Sequence, residues 1–150
     1  MFINLIPNNP AISTILTGHL ILEEIVREIL YKTASREKSI QDAKLTFNQC
    51  VHLLRASYPD KLPIWTWKAI HKVNKIRNSM AHSLKPLRID ELVAELYEYL
   101  VIETKEKGDK AFNSVDNELT WSIKVLARQI LKLLEDIAPD NQLHHLQIIH

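Results

Sequence analysis

Glycine and cysteine are scarce in this chain of 150 residues, which contains two glycines and one cysteine. The phosphate-binding loops of P-loop and dinucleotide-binding enzymes need several glycines within a few residues, whereas Gly18 and Gly108 lie far apart in the sequence. The single Cys50 excludes a disulfide within the chain and a cysteine-rich zinc site, and it suits a reducing compartment. These absences exclude glycine-rich nucleotide-binding folds and disulfide-rich secreted domains.

Long apolar runs are absent as well. No run approaches the roughly 18 residues that a membrane span requires, and the first residues lack the basic flank of a signal peptide. With 46% apolar and 25% charged residues, the length predicts one domain with a single core. We therefore expect one cytoplasmic domain over residues 1–150, with an N-terminal arm at 1–9, a C-terminal tail at 140–150, and no membrane partner.

The net charge of +1 hides an asymmetry along the chain. Lysine and arginine predominate in residues 1–88, and aspartate and glutamate predominate in residues 89–150. The basic part is suited to bind phosphates, but the two parts can also attract each other within one fold. Charge alone favours the second interpretation.

Apolar residues recur at helical spacing in five segments, and no strand signal is found. The segments span about residues 10–31, 39–57, 63–82, 90–107 and 116–137. In the second segment, Ser39 followed by Asp42 is typical of a capping box, and Ala43 would join the buried stripe. Pro86 disfavours helix at the preceding residue, so the third helix should end at or just after His82. The pattern predicts an all-α fold, an antiparallel bundle of about five helices.

Two polar residues interrupt the apolar stripe of the first helix. His19 and Glu23 lie within about 40° of each other around the helix axis, and a buried carboxylate is costly unless it is paired or hydrogen-bonded. Either these side chains satisfy each other or a neighbouring helix, or they face a cleft or a partner. We expect Glu23 to be largely buried and to contact His19 or Arg77.

An arginine interrupts the apolar side of the third helix in the same way. Arg77 lies beside Val73, with Asn74 and Asn78 at the flank of that side. Because arginine cannot lose its charge, a partly buried one implies an anionic partner. That partner is either Glu23, which would make Arg77 structural, or a substrate phosphate, which would make it functional.

The end of the third helix has the sequence Arg77-Asn78-Ser79-Met80-Ala81-His82. It resembles the Arg-x4–6-His motif of the HEPN superfamily (higher eukaryotes and prokaryotes nucleotide-binding domains), in which asparagine often follows the arginine. The segments 18–24 and 45–47 also resemble the early helices of small bacterial HEPN-like proteins. The resemblance covers most of residues 11–105.

The resemblance implies a helical bundle, usually a homodimer, whose active members cut RNA without a metal or another cofactor. It implies that the RNA 2′-hydroxyl attacks the adjacent phosphate, with His82 moving protons and Arg77 stabilising the charge on the phosphorane. Asn78 would orient His82 or bond a phosphate oxygen. Glu23 would orient Arg77, with His19 as a further positioning residue.

Four lysines near the third helix are candidates for holding the RNA backbone, although such lysines also occur on solvated faces. They are Lys68, Lys72, Lys75 and Lys85. The two motif residues, Arg77 and His82, differ by about 140° around a straight helix, so either the helix frays at its end or a second chain completes the site. The motif favours an endoribonuclease of toxin or phage-defence type, with an antitoxin protein as a further partner. The alternative is a non-catalytic HEPN module that binds nucleotide, RNA or a partner protein.

Other chemistry-bearing residues have simpler interpretations. Cys50 lies on an apolar stripe, which favours a core thiol over a nucleophile. The spacing of the tail histidines, at 144, 145 and 150, matches no metal site, so no metal is expected. The three tryptophans are suited to base stacking, but packing in the core or an interface is favoured. They are Trp65, Trp67 and Trp121.

Overall fold

The computed structural model describes residues 10–82, 86–106 and 114–137. These residues form six helices and no strand. The helices are α1 (Pro10–Thr33), α2 (Glu37–Asp42), α3 (Phe47–Ser57), α4 (Ile64–His82), α5 (Pro86–Thr104) and α6 (Val115–Ile137). The predicted all-α class is therefore confirmed, with a bundle-like packing of the helices. None of the described helices is both long enough and apolar enough to cross a membrane.

Helix α1 lies at the centre of the fold and packs against α2, α3, α4 and α6. Its closest neighbour is α6, and Gly18 explains how near the two helices come. A Cβ atom built on Gly18 would lie 2.8 Å from Cγ1 of Ile123 on α6, which is too short for two carbon atoms. The missing side chain at Gly18 thus makes room for the Ile123 side chain in the α1–α6 interface.

The prediction of one continuous second helix is wrong, because this segment forms two helices, α2 and α3. Lys44 has a φ of 50°, a left-handed conformation that ends the first piece. The capping box lies at Thr46 and Gln49, not at Ser39. The Thr46 Oγ1 atom accepts from the Gln49 backbone N–H at 3.2 Å, and the Gln49 side chain accepts from the Thr46 backbone N–H at 2.9 Å. Ala43 lies in the interruption and is exposed.

The remaining boundaries differ from the predicted ones by a few residues. Helix α5 begins at Pro86, before the predicted start near residue 90, because proline is tolerated in the first turn of a helix. It ends at Thr104, and Lys105 then adopts a positive φ of 57°. The predicted stop at Gly108, the arm at 1–9 and the tail at 140–150 lie outside the described residues.

Candidate anion-binding site between α1, α3 and α4

His19 points from α1 toward α3 and α4 and is 9% exposed. Its Nε2–H donates to Oδ1 of Asn74 on α4 at 3.3 Å, and its ring meets Phe47 of α3 edge-on, with 4.6 Å between the ring centroids. Burial lowers the pKa of His19 below its ordinary value, and the positive charge of Arg77 acts in the same direction. The hydrogen bond that His19 donates to Asn74 and the negative charge of Glu23 oppose this shift. A neutral imidazole is therefore favoured at this position.

Glu23 pairs with Arg27, one turn further along α1. The Glu23 Oε1 atom accepts from Nε of Arg27 at 3.0 Å and from Nη2 at 2.8 Å. The carboxylate side chain is 25% exposed, and its Oε2 atom lies 3.9 Å from Nδ1 of His19. Glu23 is thus mostly buried and near His19, but its hydrogen bonds go to a residue that the sequence analysis missed. The i,i+4 spacing of opposite charges was the available signal.

Arg27 also connects α1 to the segment before α3. Its Nη2 donates to the backbone oxygen of Leu45 at 2.7 Å, and its Nη1 lies 3.4 Å from Sγ of Cys50. Cys50 is fully buried, and burial raises the pKa of its thiol. A raised pKa opposes formation of the thiolate nucleophile, so Cys50 acts as a core residue.

Arg77 is half-buried on α4, next to the buried Val73. Among the residues that the structure describes, no carboxylate lies within ion-pair distance of its guanidinium. The predicted structural partner, Glu23, is instead bonded to Arg27. The pairing of Arg77 with Glu23, one of its two interpretations, is therefore not found. The other interpretation, a substrate phosphate as the partner, stays a prediction.

The other residues of the predicted motif lie at the end of α4. Asn78 is exposed beside Arg77. His82 is the last residue of α4, but its side chain lies outside the described part of the chain. The relation between His82 and Arg77 therefore stays a prediction.

The predicted lysines have different environments. Lys68 and Lys75 are exposed on α4, whereas Lys72 is partly buried, with its Nζ atom 5.2 Å from the ring centroid of Tyr99 on α5. This distance allows a cation–π contact that holds the Lys72 side chain in place. Lys85 lies outside the described residues.

The tryptophans serve packing in this structure. Trp67 is buried in the core. Trp65 and Trp121 are partly exposed and pack against the core cluster. The Trp121 ring also meets Tyr97 edge-on, with 5.3 Å between centroids. Among the described residues, no three histidine, cysteine or acidic side chains are grouped as they would be to hold a metal ion. The tail histidines lie outside those residues.

Comparison with known proteins adds no relative. Neither a protein-family model, nor a curated protein, nor a solved structure matches this chain.

Proposed function

We propose that this protein is a metal-independent endoribonuclease of the HEPN type, of the toxin or phage-defence class, with Arg77 and His82 in its active site. The observation that carries the proposal is the half-buried Arg77, which has no carboxylate partner among the described residues. A guanidinium is always charged and presents a fork of donors that matches phosphate oxygens. A phosphodiester would supply the missing anion.

RNA supplies its own nucleophile in the proposed reaction. The 2′-hydroxyl oxygen forms a bond to the adjacent phosphorus, the bond from phosphorus to the 5′-oxygen of the next nucleotide breaks, and a 2′,3′-cyclic phosphate remains. One proton leaves the 2′-hydroxyl and one proton reaches the departing 5′-oxygen. His82 moves these protons, Arg77 stabilises the extra negative charge on the phosphorane, and Asn78 orients His82 or binds a phosphate oxygen.

His19 and Glu23 support this site indirectly. The hydrogen bond from His19 to Asn74 joins α1 to α4 one turn before Arg77. A neutral His19 also avoids a second positive charge beside the guanidinium. Glu23 acts through Arg27 and not, as predicted, by orienting Arg77. Both residues are positioning residues in this proposal.

The proposal includes assembly into a homodimer in the cytoplasm and inhibition by an antitoxin protein. Arg77 and His82 lie about 140° apart around a straight helix, so a single straight helix presents them on different faces. A second copy related by a twofold axis would complete two sites at once.

The direct test is incubation of the purified protein with total RNA in EDTA, beside the His82→Ala variant. Cleavage by the wild type, with cyclic phosphate ends and with DNA left intact, would support the proposal because DNA lacks the 2′-hydroxyl. RNA binding without cleavage would favour the non-catalytic HEPN module. Cleavage that the chelator abolishes would contradict the mechanism.

A further inference from the structure

A groove of about 370 Å³ lies between α3 and α4, and Tyr99 of α5 also lines it. Its volume falls within the range of roughly 300–1,000 Å³ that is usual for small-molecule sites. Its floor consists of apolar side chains that belong to the buried core, namely Phe47, Val51, Trp67 and Ile70. An apolar floor of this kind can cover the face of a flat aromatic ligand.

The rim of the groove is basic. Exposed cationic and imidazole side chains come from both helices, Arg55 and His52 from α3 and Lys68 and His71 from α4. Lys72, held over the Tyr99 ring, adds a third full positive charge. No aspartate or glutamate is found among the described residues that line the groove. The groove therefore attracts anions without an internal carboxylate to neutralise it.

The last described α4 residue that lines the groove is Asn74, one turn before Arg77. Asn74 lines the groove and also accepts the hydrogen bond from His19. Asn74 and Arg77 are three residues apart, so they lie on one face of the helix. At 1.5 Å per residue, Lys68 and Arg77 are separated by about 14 Å along the axis. Lys68 and Arg77 also lie about 180° apart around the helix, and Arg77 is not among the described residues that line the groove. A strand that contacts both residues must therefore pass around α4.

We propose that this α3–α4 groove binds one nucleotide of the RNA strand, a few nucleotides away from the phosphate that is cut. The base covers the apolar floor, and the backbone phosphate lies at the rim against Arg55 and Lys68. The inference rests on the proposed function, since it assigns a subsite to that substrate. A nucleotide is favoured over an acidic protein because the groove is small and concave, whereas a stable protein interface covers about 800 Å² on each partner.

Binding is best measured in the Arg77→Ala background, in EDTA, so that cleavage does not consume the ligand. The probe is a fluorescein-labelled oligouridine of 12 nucleotides, followed by anisotropy. The test variant is Arg55→Glu with Lys68→Glu, and the matched control is Arg128→Glu with Lys132→Glu, two exposed basic residues on α6. We expect at least a tenfold loss of affinity for the test variant and less than a twofold loss for the control.

Two further measurements sharpen the assignment. Arg55→Gln with Lys68→Gln should lower the magnitude of the slope of log affinity against log salt by about 0.7, the contribution of the one phosphate that both residues contact on a single strand. Asn48→Trp, at an exposed lining position, should weaken binding at unchanged charge by occupying the space of the base. Equal affinities for the charge-reversed groove variant and the α6 control would overturn the proposal. Polyglutamate that competes as well as oligouridine at equal charge would also overturn it.

Different experimental outcomes contradict the nucleotide subsite and the cleavage proposal. If the wild type binds oligouridine through Arg55 and Lys68 but never cuts it, the cleavage proposal fails and the nucleotide subsite stands. If the wild type cuts RNA and the groove variants bind and cut at the wild-type level, the subsite fails and the cleavage proposal stands. A wild type that does not bind the oligonucleotide at all contradicts the subsite.

Discussion

Glu23 and Arg27 form a two-bond ion pair within α1, with Oε1 of Glu23 3.0 Å from Nε and 2.8 Å from Nη2 of Arg27. This pairing matters because it takes up the carboxylate that was the predicted partner of Arg77. It also joins α1 to Leu45, whose backbone oxygen accepts from the same guanidinium at 2.7 Å. This ion pair thus contributes to the packing of α1 against the segment before α3, and it leaves Arg77 on α4 without a carboxylate partner in the described part of the chain.

The first prediction concerns the role of Arg77 in cleavage. Arg77→Ala should lower the rate of RNA cleavage by about a hundredfold or more, as expected when a donor to a developing negative charge is removed. Arg128→Ala, at an exposed position of α6, should leave the rate within a factor of two. Single-turnover assays in EDTA measure both variants. An Arg77→Ala protein with full activity would remove this residue from the mechanism.

The second prediction concerns the two chains of the proposed dimer. Sedimentation at micromolar concentration should give twice the monomer mass of 17.4 kDa. If Arg77 and His82 of different chains form each site, mixing Arg77→Ala with His82→Ala protein should restore part of the activity. A dimer whose mixed variants stay inactive would instead place both residues of a site in one chain. A fully active monomer would end the dimer proposal.

The third prediction concerns the stability that Glu23 contributes. Glu23→Ala should lower the free energy of unfolding by about 1–2 kcal/mol, because it leaves the partly buried Arg27 without its carboxylate. Full burial would have made the cost larger, but both side chains are about one-quarter exposed. Glu28→Ala removes a similarly exposed i,i+4 partner, that of Lys32, and should cost less, about 0.5 kcal/mol. Urea denaturation measures the difference, and equal costs would contradict the special role of the Glu23–Arg27 pair.

The fourth prediction concerns Gly18 and its contact with α6. Gly18→Ala should destabilise the protein by about 1–2 kcal/mol, since the new Cβ atom would lie 2.8 Å from the Ile123 side chain. In an Ile123→Ala background, Gly18→Ala should raise the free energy of unfolding by up to about 1 kcal/mol, because alanine has a higher helix propensity than glycine. Urea denaturation of the wild type, the two single variants and the double variant gives a double-mutant cycle for this contact. A stabilising effect in both backgrounds would show that α1 and α6 are further apart.

The fifth prediction concerns the dependence of stability on pH. The pKa of His19 is lower in the folded protein than its ordinary value of 6.5, so below that pH the unfolded chain binds more protons. The free energy of unfolding should therefore fall as the pH decreases from 6.5 toward the folded pKa of His19. His19→Gln should make this fall shallower, whereas His52→Gln, at an exposed position, should preserve the contribution of His19. Identical pH profiles for the wild type and His19→Gln would contradict the buried, neutral imidazole.

The sequence by itself determined the helical class and most of the core, because apolar periodicity is a local property of each segment. It also located the polar interruptions at His19, Glu23 and Arg77, and the i,i+4 spacing of Glu23 and Arg27 was already present in it. The break between α2 and α3 was visible in principle at Thr46 and Gln49, where the capping box competes with the one predicted at Ser39.

Only the tertiary structure decided which partner each polar group takes. Glu23 could meet an arginine on its own helix or one on α4, and the choice depends on how the helices are rotated against each other, which no single segment encodes. The α3–α4 groove likewise joins Arg55 to Lys68, residues from separate helices whose approach is set by packing over Phe47 and Ile70. Helix formation follows from local patterns, but ion pairing and groove shape follow from distances between segments, and those distances exist only after the core has packed.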